Sequence, residues 1–174
     1  MSYRLKHEYS RPGFFVIVQK HLVWREISLG RNCRNVLIIE DNPGDVRLIQ
    51  EALRKLQPPA AIHVAENSEQ ALGFLLRQGA FTRAPRPDLI FLDFNLPKSD
   101  SRELLCRIKQ NSHTRPIPVA VLTSSEADHD VREAYELHAN CYLRKPVDLD
   151  SFLNMIQTAA HFWLEVAQIP QETP

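Results

Sequence analysis

The chain has 174 residues, enough for one domain with a substantial core and some excess. Lys plus Arg equals Asp plus Glu at 21 each, so the net charge is zero and the basic excess of a non-specific nucleic-acid binder is absent. Cys33, Cys106 and Cys141 are too few and too scattered for a disulfide framework and point to a reducing cytoplasm, while no segment approaches the ~18–20 apolar residues of a membrane span.

Residues 1–34 read as an N-terminal extension. Arg4, Lys6 and Arg11 precede the apolar run Phe14-Phe15-Val16-Ile17-Val18, an order shared with signal peptides. The run is too short, however, and no A-x-A-like cleavage site follows. A loosely docked arm or a misplaced start site fits better. Residues 35–168 then alternate regularly, and 169–174 form a tail.

The run Val36-Leu37-Ile38-Ile39 is continuous and β-branched, as expected of a strand covered on both faces. Pro43 suits the first position of a helix carrying Val46, Leu48, Ile49, Ala52, Leu53 and Leu56 at helical spacing, and Pro58-Pro59 stops it. A second strand covers Ile62 to Ala65. Asn67 or Ser68 caps a helix with Ala71, Leu72, Leu75 and Leu76 inward. A third buried strand, Leu89 to Leu92, ends at Asp93. Ser101 to Gln110 reads as a helix, and Ile117 to Leu122 as a strand ending at Thr123. A helix capped by Ser125 runs to about Leu137. Cys141 to Leu143 is a fifth short strand before Lys145-Pro146. Asp148 or Asp150 opens a last amphipathic helix to about Val166. Alternation of this kind gives a parallel sheet between two helical layers, with ligands at the carboxyl ends of the strands.

Those ends carry the chemistry. Glu40 and Asp41 end the first strand, Asp93 the third, Thr123 the fourth and Lys145 the fifth. Each residue alone has an ordinary explanation: an acid at a helix N-terminus, a cap or a surface turn. Together they gather three carboxylates, a hydroxyl and an ammonium on one sheet edge. A hard cation relieves the repulsion among the acids, and magnesium suits oxygen ligands and phosphate. Such a set can neutralise and orient a phosphoryl group arriving at Asp93.

Four motifs carry a resemblance to response-regulator receiver domains: Ile39-Glu40-Asp41-Asn42, Phe91-Leu92-Asp93-Phe94-Asn95-Leu96-Pro97, Val121-Leu122-Thr123-Ser124 and Lys145-Pro146. Residues 41–53, His138 to Tyr142, Lys145 to Asp150 and Phe162-Trp163 are similar to the small regulators paired with bacterial and cyanobacterial phytochromes. The resemblance implies a flavodoxin-like doubly wound (βα)5 fold, with a five-stranded parallel sheet in the order 2-1-3-4-5. It implies that Asp93 accepts a phosphoryl group from a sensor histidine kinase of phytochrome type. Asp41, Asp93 and the backbone carbonyl of Asn95 would hold Mg2+, with Glu40 acting mainly through water. Thr123 would bind a phosphate oxygen and move on activation, Lys145 would pair with the phosphoryl group, and Tyr142 would swing with Thr123. A cis peptide would precede Pro146. Ser101 stands where the family commonly has Gly, which predicts mild strain if that position needs a positive φ.

On the last helix, Leu149, Phe152, Leu153, Ile156, Ala160 and Trp163 form one stripe, and Met155, Ala159, Phe162 and Val166 a second. The second is more apolar than a solvated face requires. It predicts a homodimer through the fourth helix, fifth strand and last helix, with Met155, Phe162 and Val166 in the interface. The expected protein is a stand-alone phosphoacceptor signalling through protein contacts, cytoplasmic, with neither nucleic acid nor membrane as partner, and not a conventional enzyme. Three alternatives stand beside it. A magnesium-dependent phosphatase would need the second Asp of a D-x-D motif, which Asn95 replaces. A nucleotide- or flavin-binding module would need a Gly-rich loop after the first strand. A phosphorylation-independent adaptor would not need the acidic site. The histidines show no metal-ligand spacing.

Overall fold

The apolar runs become strands because each is β-branched, short and bounded by turn residues. The structure is a computed structural model that describes residues 34–96 and 101–170. The N-terminal extension therefore lies outside the described residues, save Arg34. The strands are β1 (Arg34–Ile39), β2 (Ala60–Ala65), β3 (Leu89–Asp93), β4 (Val119–Thr123) and β5 (Cys141–Arg144). All pairings are parallel and the order is β2-β1-β3-β4-β5, as the resemblance implied. The helices are α1 (Pro43–Leu53), α2 (Ser68–Leu75), α3 (Ser101–Gln110), α4 (Asp128–Glu136) and α5 (Leu149–His161), the last continuing into a π-helical turn, Phe162–Val166.

Side chains alternate across the sheet and divide the core in two. Val36, Ile38, Leu89, Phe91, Ala120 and Leu122 face α1 and α5. Leu37, Ile39, Ile90, Leu92, Val119 and Val121 face α2, α3 and α4. Because α1 lies on one face and α2 on the other, the winding reverses between β1 and β3. That reversal opens a crevice at their carboxyl ends. The helices begin where the sequence indicates: Asn42, Asn67 and Asp148 accept from the backbone N–H groups of Gly44, Gln70 and Ser151. Ser125 does not cap α4 directly. It accepts from the N–H of Ala127, one residue before the helix opens. Among the described residues no helix is long and apolar enough to cross a membrane.

The two stripes on α5 are redistributed. Phe152, Ile156 and Ala160 are buried as expected, and so is Ala159 of the second stripe. Leu149, expected inward, is 51% exposed. It is the first residue of α5 and lies outside the cluster that packs on that face of the sheet.

Lys109 is a buried cation that the sequence pattern did not single out. Its Nζ donates to the carbonyls of Arg115 and Ile117, at 3.3 and 2.7 Å, and to Asn140 Oδ1 at 2.7 Å. Asn140 Oδ1 also accepts from the N–H of Val119. One ammonium thus ties α3 to the start of β4 and to the α4–β5 loop. Burial pushes Lys109 down to about 8. Lys109→Met would strand these acceptors and is expected to cost about 2–4 kcal/mol in chemical denaturation at pH 7. A folded-state pKa below the unfolded value means the unfolded chain binds more protons between the two. Wild-type stability relative to Lys109→Met is therefore expected to rise as pH climbs from about 8 to 10.5. A flat difference across that window would show that Lys109 keeps its ordinary proton affinity.

Candidate functional site

The crevice collects side chains from four chain segments because each strand stops at the same edge. Glu40 follows β1 and is only 1% exposed. Its Oε1 accepts from the N–H of Asn42 at 3.0 Å, which turns the carboxylate back over the strand end. Asp93 is the last residue of β3, and its Oδ1 accepts from the N–H of Asn95 at 2.9 Å. Thr123 ends β4 fully buried, its Oγ1 accepting from the N–H of Ser125 at 3.0 Å and from Asn95 Nδ2 at 3.1 Å. Lys145 follows β5, with its N–H bonded to the carbonyl of Thr123.

The Lys145 ammonium is the meeting point. Its Nζ lies 2.7 Å from Glu40 Oε2, 2.7 Å from Asp45 Oδ2 and 3.0 Å from Asp93 Oδ2. Three donors meet three carboxyl groups, so with all three ionised two negative charges remain uncompensated within the cluster. The electrostatics follow. Burial raises Glu40 to about 7, against the Lys145 hydrogen bond that lowers it. Burial also works against the Lys145 charge, but hydrogen bonds to Asp45 and Glu40 and the charge of Asp93 outweigh it and hold the ammonium above its ordinary value. The carboxylate oxygens of Glu40, Asp45 and Asp93 lie within 4.8 Å of one another. Hard oxygen donors with spare negative charge fit a divalent cation.

The structure brings together Glu40, Asp93 and Lys145 in one network and joins Asn95 to Thr123. It does not bring Asp41 in: that residue is exposed and stands outside the ion pairs of Lys145. Asp45 takes a place in the network that sequence reasoning gave it no part in. An acid in the first turn of a helix is ordinary, and its only signal was Pro43 at the helix start, which fixes the first turn of α1 beside the strand ends.

The sequence reading requires two corrections. The cis X-Pro bond among the described residues is Gln57-Pro58, and the bond preceding Pro146 is not cis. X-Pro bonds favour trans by roughly 0.5–1 kcal/mol, and with this one trans Lys145 still reaches all three carboxylates. Ser101 is not strained, because it is the first residue of α3 and has no positive φ. Its buried hydroxyl donates instead to the carbonyl of Asp93 at 2.8 Å, anchoring α3 to the end of β3.

A second layer connects this edge to α4. The Arg102 guanidinium sits 4.5 Å over the ring of Phe94, next to Asp93. It donates to Asp130 at 2.8 Å and to Glu133 at 2.6 Å, both on α4. Phe94 in turn meets Tyr142 edge-on, with centroids 6.4 Å apart. The Tyr142 hydroxyl is buried near Thr123 without a hydrogen bond of ordinary geometry, and burial raises its pKa.

Residues 36–157 match the response regulator receiver domain family. The response regulator Rcp1 of Synechocystis sp. is 44% identical over 135 residues, covering 78% of this chain and 92% of that protein. The phosphorylated cyanobacterial phytochrome response regulator RcpA superposes with a TM-score of 0.77 at 38% identity, over 80% of this chain and 99% of its own. The Mn(2+)-bound form of Rcp1 gives a TM-score of 0.75 at 43% identity, over 79% of this chain and 99% of its own. A doubly wound sheet with this strand order, an acid at the end of β3 and a family match over most of its length identify the chain as a member of the response-regulator receiver-domain family.

Proposed function

We propose that this receiver domain accepts a phosphoryl group on Asp93 from a histidine kinase of phytochrome type. The observation that carries the reading is Asp93 itself: a nearly buried carboxylate at the crevice, with Oδ2 beside the Lys145 ammonium. Similarity to phytochrome response regulators supports the kinase class. In the transfer an Asp93 Oδ attacks phosphorus, the Asp93 O–P bond forms, and the donor's P–N bond breaks with its electron pair leaving on the histidine. Lys145 is positioned to meet the phosphoryl oxygens, and the Thr123 hydroxyl to bind one of them. Asp41, Asp93 and the backbone carbonyl of Asn95, with Glu40 through water, would hold Mg2+, which would supply charge neutralisation of the phosphoryl oxygens.

The readout runs through α4, β5 and α5. Thr123 and Tyr142 form the switch: the Tyr142 hydroxyl lies buried beside Thr123, so a shift of Thr123 towards a phosphoryl group changes what the tyrosine packs against. Arg102 joins the segment after Asp93 to α4. On the far side Phe162 is 48% and Val166 60% exposed, while Met155 packs partly into the core. Tyr135 on α4 is also exposed, and Arg144 of β5 pairs with Glu126 before α4. Exposed apolar groups beside a short edge strand favour self-association through this face.

Two experiments test the reading. Incubation with acetyl phosphate and Mg2+ is expected to add one phosphoryl mass to the intact chain. Asp93→Asn or a chelator should abolish the adduct, and an adduct that survives Asp93→Asn would refute the assignment. In sedimentation, the phosphorylated chain is expected to be a dimer that Phe162→Asp with Val166→Asp makes monomeric. A phosphorylated chain that stays monomeric would remove the dimer from the account.

A further inference from the structure

Asp45 has no role in the transfer as described, yet it holds Lys145 as closely as Glu40 does and more closely than Asp93. It belongs to the first turn of α1, behind Pro43 and the Asn42 cap, whose Oδ1 accepts from the N–H of Gly44 at 2.8 Å. The cap and Pro43 define the backbone of that turn, and Asp45 Oδ2 faces the crevice. Its side chain is 29% exposed, against 1% for Glu40, so it draws the ammonium towards the α1 side and the solvent. Asp41, the acid adjacent to Glu40, stands outside the network. Of the two exposed-side acids, Asp45 engages the ammonium and Asp41 does not.

We propose that Asp45 is a positioning residue for Lys145, competing with Asp93 for the ammonium before phosphorylation and with the phosphoryl group after it. This rests on the proposed phosphoacceptor function. Before transfer, sharing Lys145 among three carboxylates leaves more negative charge on the Asp93 oxygens, which favours attack on phosphorus. After transfer, Asp45 draws Lys145 away from the phosphoryl oxygens, which leaves the acyl phosphate less shielded and shortens its life. One acid therefore speeds both the loading and the clearing of the signal.

Asp45→Asn keeps the shape and removes the charge. With acetyl phosphate and saturating Mg2+, loading followed by intact mass is expected to slow about threefold to tenfold. The half-life of the adduct after donor removal should lengthen by a similar factor, and Asp45→Glu should restore both rates. A carboxylate that merely stabilises the start of α1 gives a different pattern: loosening the helix admits water and shortens the half-life. Loading and half-life within about twofold of wild type, or a shorter half-life, would overturn the proposal.

A measurement independent of phosphorylation keeps the two readings separable. In nitrogen-15 spectra of the metal-free protein, a held ammonium gives a resolved Lys145 Nζ signal with slow hydrogen exchange, assigned by its loss in Lys145→Met. Asp45→Asn is expected to speed that exchange at least about threefold. No resolved signal, or exchange unchanged in Asp45→Asn, overturns the proposal whatever the adduct shows. Faster exchange in Asp45→Asn, together with a wild-type chain that takes up no phosphoryl group, would instead refute the phosphoacceptor reading and leave Asp45 as the holder of Lys145.

Discussion

One ammonium sits among three carboxylates at the edge of the sheet, and the rest of the site is arranged around it. Glu40, Asp45 and Asp93 would repel one another in a crevice with little water. Lys145 links them by contacts of 2.7 to 3.0 Å and so lets the ends of β1 and β3 and the start of α1 converge. The balance is incomplete, since one positive charge faces three negative ones. An incomplete balance keeps the site receptive: the spare charge favours a divalent cation, while burial, and to a smaller degree the Asp93 charge, raises the proton affinity of Glu40.

The fold directs these carboxylates to one edge, where the ammonium offsets their repulsion. Parallel strands end on one edge, and the reversal of winding between β1 and β3 leaves the carboxyl ends of those two strands uncovered by a crossover. Ser101 fastens the start of α3 to the Asp93 carbonyl, and Arg102, the next residue, reaches over Phe94 to α4. Two consecutive side chains therefore tie the end of β3 to α4. Contacts run from Phe94, beside Asp93, to Arg102 and on to α4, and from Phe94 to Tyr142.

The strands and the positions of Glu40, Asp93, Thr123 and Lys145 were legible because apolar β-branched runs stop abruptly at polar residues. Strand ends in a parallel sheet share an edge, so sequence alone could bring them together. The strand order came from the resemblance. What escaped the sequence depends on side-chain reach. Nothing in a first-turn acid separates Asp45, which points into the crevice, from Asp150, which is exposed in the first turn of α5. Lys109 sits within a helix whose pattern reads as amphipathic, and only the packing against β4 buries it. Leu149 fits the inward stripe by spacing, but as the first residue of α5 it is half exposed. Ser101 was judged by the glycine it replaces, whereas the structure uses its hydroxyl.

The most direct test of the central claim is the thermal stability of Lys145→Met, measured beside wild type with and without Mg2+. If the ammonium is what allows the three carboxylates to converge, the variant melts lower than wild type in metal-free buffer, and Mg2+ raises its melting point by more than it raises that of wild type. An unchanged melting point in metal-free buffer, or an equal response of the two proteins to Mg2+, would contradict the account.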